Sequence, residues 1–258
     1  MKSGWFFGDS FTAGWGFDHH WAKNYVYWRE DHFEDGSPIG RWKQWGYRYQ
    51  DSTFSKLLCS HYRLQHKNFA RPGATNEYII NSIWKELPNM NGGDYVVIGD
   101  THPLRVSHFF GTSKRMEFVS LLKNNDTEEF EVEAGEFASE EFKKACLDYL
   151  VYIGMPNEHG WVDYYRDVYT DIVKYLNKKG IKATVVSNTL WSCVEDIYDW
   201  TRDSKIYDEV KDYHWSPNGH RKVYKMLVEV LEQNLNFLDR DKYLRYEKFG
   251  TLSFSAYI

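Results

Sequence analysis

The sequence predicts an α/β protein: a three-layer α/β/α sandwich around a mainly parallel central sheet. Three short apolar runs carry that expectation: Gly4–Phe7, Asp94–Ile98 and Ile181–Ser187. Runs of this length with no polar alternation fit strands buried on both faces. Segments with helical spacing separate them, and alternation of strand and helix builds a parallel sheet covered on both sides. No internal repeat or low-complexity linker interrupts the chain.

Each element has its own signal. Gly4-Trp5-Phe6-Phe7 forms the first strand and stops at Gly8. Residues 11–50 read as irregular, rich in Gly and loaded with Trp15, Trp21, Trp28, Trp42 and Trp45. The spacing of Phe54, Leu57 and Leu58 predicts a helix over 53–61. Residues 62–69 alternate as a strand that ends at Ala70-Arg71-Pro72-Gly73. From Thr75 to Leu87, Tyr78, Ile79, Ile80, Ile83 and Trp84 make an amphipathic helix with Thr75 or Asn76 as its cap. A second buried strand, 94–98, ends in Gly99. Residues 104–138 break the pattern, with a hairpin expected between 117–122 and 128–133 around Asn124-Asn125-Asp126. Helices follow over 140–153 and 164–176, then the third strand at 181–187. The last helix runs from Pro217 to about Leu235, with Ser216 as N-cap and Pro217 at its first position. The chain thus reads as one domain, 1–236, with insertions at about 15–50 and 104–138. Residues 237–258 are expected to be a C-terminal extension, whose Tyr243, Tyr246, Phe249, Phe254 and Tyr257 suggest an assembly element.

Composition removes several function classes. The chain has 258 residues and a net charge of −5, with 37 acidic and 32 basic residues interleaved. No polybasic face for nucleic acid or anionic lipid emerges. No run of about 18 apolar residues exists, so no membrane partner is expected. A 42% hydrophobic content supports a substantial core. The 18% aromatic content, with eleven Trp and twenty Tyr, suits either core or sugar-stacking surface. Cys59, Cys146 and Cys193 are too widely spaced for a metal site or a disulfide framework, and read as reduced thiols. Met1–Trp5 shows no basic and apolar leader, so Sec export is not expected; the expected location is cytoplasmic as synthesised. No pattern defines an oligomeric state.

Functional groups of such sheets gather at the carboxyl ends of the strands. Those ends carry Gly8-Asp9-Ser10, Gly73-Ala74-Thr75-Asn76 and Gly99-Asp100-Thr101-His102, and Asp212-Tyr213-His214-Trp215 precedes the last helix. A Ser, a His and an Asp on separate loops above one sheet are the parts of an acyl-transfer site.

Taken in order, these segments resemble the SGNH/GDSL hydrolase family, whose fold is a flavodoxin-like sandwich. Gly8-Asp9-Ser10-Phe11-Thr12-Ala13-Gly14 matches its first motif, Gly73 its second, and Asp212–His220 its last. The segment Ile98–Arg105 also resembles SGNH proteins encoded by phages; the expected location is the host cytoplasm or virion if the protein is phage-encoded. The resemblance implies Ser10 as nucleophile and His214 as general base and acid. With Lys211 three residues before the histidine, Asp212 must orient it. It also implies an oxyanion hole from the backbone N–H groups of Ser10 and Gly73. The family's third donor, an Asn in a GxND motif, is replaced here by Thr101, whose hydroxyl is shorter than an amide. Asn76 is an alternative donor. Trp15, Asp100, His102 and Trp215 are expected to contact substrate.

Plainer roles stand beside these. Ser10 could cap a helix, Thr101 could be an ordinary loop residue, and His220 suits helix packing. Asp9 suits satisfying loop N–H groups. Asp18-His19-His20-Trp21 repeats the DxHW pattern without a capped helix after it. His19, His20, His32 and Asp31 match no metal-ligand spacing, so neither metal nor other cofactor is expected. The aromatic segment 15–45, with Arg29, Glu30, Asp35 and Arg41, could stack on and bond a sugar, or fill a second core. The expected activity is removal of a small acyl group, acetyl first, from a carbohydrate or similar polar ester. The rivals are a structural or binding protein with a decayed site, such as a phage particle component, and a sugar O-acyltransferase.

Overall fold

The computed structural model describes residues 1–14, 53–71, 73–110, 115–123, 130–133, 139–152, 158–190, 194, 197–199, 211–215 and 217–249. Five parallel strands form its central sheet: β1 (Ser3–Phe7), β2 (Gln65–Asn68), β3 (Tyr95–Gly99), β7 (Lys182–Val186) and β10 (Phe237–Leu238). Their order is β2-β1-β3-β7-β10, and every pairing is parallel. This is the flavodoxin-like order, in which the chain reverses direction across the sheet between β1 and β3.

Strand alternation explains the two cores. Phe6, Val97 and Val186 face α2 (Phe54–Tyr62) and α6 (Pro217–Glu232), which contribute Phe54, Leu58, Val223, Met226 and Val230. Trp5, Phe7, Val96, Ile98 and Val185 face the other way, against α3 (Asn76–Glu86) and α5 (Glu158–Lys178), with Ile79, Ile83, Tyr169 and Val173. The three layers follow directly. At the edge where the strands begin, buried Asp94 accepts N–H groups from Ser3 at 2.8 Å, Trp5 Nε1 at 2.9 Å and Asn91 at 3.0 Å. One carboxylate thereby aligns the starts of β1 and β3.

The helix caps follow the sequence. Thr53 Oγ1 accepts the Lys56 N–H and Thr75 Oγ1 the Tyr78 N–H, so Thr75 and not Asn76 is the cap of α3. The strand expected over 62–69 is shorter. Tyr62 closes α2, and Arg63 turns the chain in the left-handed region (φ 54°) before β2 starts. Ser216, expected as the cap of α6, lies outside the described residues.

The insertion after β3 is an antiparallel sheet of β4 (Arg105–Phe110), β5 (Arg115–Lys123) and β6 (Phe130–Glu133), followed by α4 (Glu140–Tyr152). Its last two strands are the expected hairpin; β4 is an addition. A further antiparallel pair, β8 (Ile197–Asp199) with β9 (Lys211–Trp215), precedes α6. The insertion expected at 15–50 lies outside the described residues.

The segment from 237 enters the fold directly. Phe237 and Leu238 extend the central sheet beside β7, and α7 (Arg240–Phe249) follows, capped by Asp239 Oδ1 on the Lys242 N–H at 3.1 Å. Tyr243 is buried in the α2/α6 core. The expected boundary at 236 is therefore corrected: this stretch completes the sheet, because β7 offers an edge whose backbone groups need partners. Residues 250–258 lie outside the described residues. No helix among the described residues is long and apolar enough to cross a membrane.

Candidate active site

The reversal between β1 and β3 places two loops side by side at the carboxyl edge. After β1, Gly8 and Asp9 turn directly into α1 (Ser10–Ala13), whose first residue is Ser10. The cap is Asp9, whose Oδ1 accepts the Phe11 N–H at 3.1 Å, so Ser10 is not the capping residue. The turn needs two glycines. A Cβ on either Gly8 or Gly99 would overlap the buried Thr12 side chain, which fills the gap between the strand ends.

The second motif docks on the same turn. The Arg71 N–H donates to the Gly8 carbonyl at 3.0 Å, and Asn68 Nδ2 donates to the Thr12 carbonyl at 3.2 Å. Gly73 adopts φ 73°, where a side chain would be strained.

Thr101, at the third strand end, is held on every side. Its N–H donates to Asn76 Oδ1 at 3.1 Å, and its carbonyl accepts from Asn76 Nδ2 at 3.0 Å and Asn188 Nδ2 at 2.9 Å. Tyr169 donates its hydroxyl to the same Asn76 oxygen at 2.8 Å. Thr101 Oγ1 donates to Asp9 Oδ2 at 3.0 Å and accepts from Arg105 Nη1 at 2.9 Å. A hydroxyl has one proton to give. In this arrangement Thr101 gives it to Asp9, which corrects the expectation that it donates to an oxyanion. Asn76 differs: its Oδ1 accepts from Thr101 and Tyr169, while its Nδ2 gives one of its two hydrogens to the Thr101 carbonyl.

One expected substrate contact also changes. Trp215 is 1% exposed, edge-on to Phe11 at 5.0 Å and Phe54 at 6.3 Å. It is a core residue that joins β9 to α1 and α2, because so large an apolar ring gains most by burial. Asp100 accepts the Asn188 N–H at Oδ1, tying β3 to the short 3₁₀ turn Asn188–Leu190. His102 is half-buried, and its Nδ1 accepts the Leu104 N–H at 3.3 Å. Both border a cavity of about 480 Å³ that Asn76, Thr101, Arg166 and Arg240 also line.

Burial pushes the Asp100 carboxyl up from 3.8 to about 8; the Asn188 N–H opposes the rise and the Asp9 charge adds to it. The folded state thus holds this proton where the unfolded chain releases it. Its stabilising effect is full below the unfolded value and fades as pH rises towards 8. Asp100→Asn stays neutral throughout, so the stability gap between variant and wild type should change across that window. Urea midpoints at several pH values measure it; parallel curves would contradict the assignment.

Asp212 and His214 lie on β9, whose backbone runs against α1. Trp15 and the residues from Asp18 to Trp45 lie outside the described residues. His220, as its packing role required, is buried, accepts the Phe54 N–H at Nδ1 and stacks on that ring at 5.7 Å.

A family model of GDSL-like lipases and acylhydrolases matches residues 5–227. The chain belongs to that family. It is an SGNH-type serine hydrolase, and the matched range runs from β1 into α6. No curated protein matches the chain. Sequence reasoning about this GDSL-like hydrolase missed Arg105, Asn188 and Tyr169. Arg105 reaches Asp9 across 96 positions, Asn188 reaches Thr101 across 87 and Tyr169 reaches Asn76 across 93, and no local motif announces such contacts.

Proposed function

We propose that this hydrolase removes a small acyl group, acetyl first, from a carbohydrate or similarly polar alcohol through Ser10, His214 and Asp212. The supporting observation is that Ser10 opens α1 at the chain-reversal point, while Trp215, next to His214, packs on Phe11, next to Ser10. Residues two apart on a strand share a face, which favours Asp212 as the acid that orients His214.

In the reaction, Ser10 Oγ attacks the ester carbonyl as His214 takes its proton. The backbone N–H groups of Ser10 and Gly73 receive the developing oxyanion. Collapse expels the alcohol, protonated by His214, and leaves an acyl-Ser10 ester. Water, deprotonated by His214, then attacks that ester and frees the acid. Because Thr101 is bound to Asp9, the hole works without the Thr101 hydroxyl. A lost donor costs about 10²–10³ in rate, which predicts a slow enzyme. The cavity bordered by the polar side chains of His102, Arg166 and Arg240 could receive the alcohol portion of the substrate. The likeness of Ile98–Arg105 to phage proteins favours a phage-encoded enzyme.

A fluorophosphonate probe at neutral pH should label the protein stoichiometrically, with the adduct on the Ser10 peptide by mass spectrometry. Absent labelling, or label elsewhere, would favour a structural or binding protein. Product analysis with and without an acceptor sugar separates hydrolysis from acyl transfer.

A further inference from the structure

Asp9 directly precedes Ser10 and is 1% exposed. A desolvated carboxylate at that place opposes the negative charge that builds on the substrate oxygen during acylation. The structure supplies a counter-charge. Arg105 Nη1 lies 3.2 Å from Asp9 Oδ2 and donates at 2.9 Å to Thr101 Oγ1, which itself donates to Asp9. The three side chains close a triangle behind the nucleophile turn. The Arg105 side chain is one-quarter exposed and Asp9 is buried, so solvent screens this pair less than a surface pair.

Arg105 comes from outside the central sheet. It opens β4, the first strand of the inserted antiparallel sheet, and its own N–H donates to the His102 carbonyl at 3.2 Å. The inserted sheet therefore begins four residues after Thr101 and immediately reaches back to the turn that follows β1.

We propose that Arg105 is a positioning residue: it neutralises Asp9 and locks Asp9 and Thr101 together, making the start of the inserted sheet part of the acylation machinery. The inference rests on Ser10 being the nucleophile. Arg105 acts through Asp9 and Thr101, in place of the donor that Thr101 does not provide. The Asp9–Thr101 bond fixes the spacing of the β1 and β3 loops, and the guanidinium removes the net charge from that bond.

The test compares second-order rates of Ser10 labelling by a fluorophosphonate, and kcat and KM for p-nitrophenyl acetate, in wild type, R105Q, R105K and D9N/R105Q. Melting curves accompany each. R105Q should label on the order of 10- to 100-fold more slowly, with the loss in kcat and KM little changed. R105K, which keeps the charge, should recover most of it. D9N/R105Q removes both charges and should label faster than R105Q alone, a rescue that loss of packing would not produce. Should R105Q not fold, the double variant decides: labelling within about tenfold of wild type supports the role, and slower labelling or failure to fold overturns it. Wild type labelled at Ser10 with R105Q equally fast, or a double variant no faster than R105Q, removes the role of Arg105 alone. Wild type without label removes the Ser10 reading and this inference with it.

Discussion

Ser10→Ala should lower p-nitrophenyl acetate turnover by roughly 10⁴-fold or more while leaving the melting temperature near that of wild type. The fold has little reason to respond. Asp9 still caps α1 through the Phe11 N–H, and Ala suits a first helical turn. Chemistry has every reason to, since no hydroxyl remains to accept the acyl group. His214→Ala should fall by a similar factor, because the serine hydroxyl is then attacked by no base. The combined variant should be no slower than the worse of the two, as residues acting in one step lose their effect together. Steady-state kinetics on enzyme free of contaminating esterase, checked by probe labelling, reads all three. Undiminished turnover in Ser10→Ala would sink the mechanism; multiplied losses in the double would separate His214 from Ser10.

Gly99→Ala should destabilise the protein by roughly 1–3 kcal/mol, the usual cost of forcing a methyl into a packed site. The new Cβ would overlap Thr12 Oγ1, with the Thr12 Cβ at 3.4 Å. Thr12 is 2% exposed and cannot swing into solvent. Removing the hydroxyl removes the overlap, so Thr12→Ala should be less costly in the Gly99→Ala background than in wild type. Gly8 behaves differently. Its added Cβ would stand 2.6 Å from the Thr12 Cβ and 3.1 Å from the Gly99 carbonyl, and Thr12→Ala leaves both in place. No rescue is expected there. Urea unfolding of the two double-mutant cycles decides the matter: equal coupling in both would refute the geometry. Gly8→Ala also shifts the residue two before the nucleophile, so its activity should fall further than its stability.

Much of this architecture is written in local pattern. The runs at 4–7, 94–98 and 181–187 are apolar on both faces because both faces are covered, and that condition leaves a period-free signature. Thr53 and Thr75 announce their helices through the hydroxyl each offers to an N–H three residues on. The elements that escaped have weaker signals. β10 is two residues long, and α7 is a polar helix anchored mainly by Tyr243. Neither length nor period distinguishes such segments from a tail; only the open edge of β7 recruits them. Trp215 was misjudged for a related reason. An aromatic beside a catalytic motif reads alike whether it faces a ligand or the Phe11–Phe54 core.

By itself, the sequence determined the fold class, the family and the order of the motifs, because these depend on hydrophobic period, glycine punctuation and residues adjacent along the chain. Tertiary structure alone decided what Thr101 does. A hydroxyl's role depends on which acceptor is nearest, and that acceptor, Asp9, lies 92 residues away across the β1–β3 junction. A separation of 96 residues hid the tie of Arg105 to Asp9, and its charge matters only because folding brings it to the carboxylate behind Ser10.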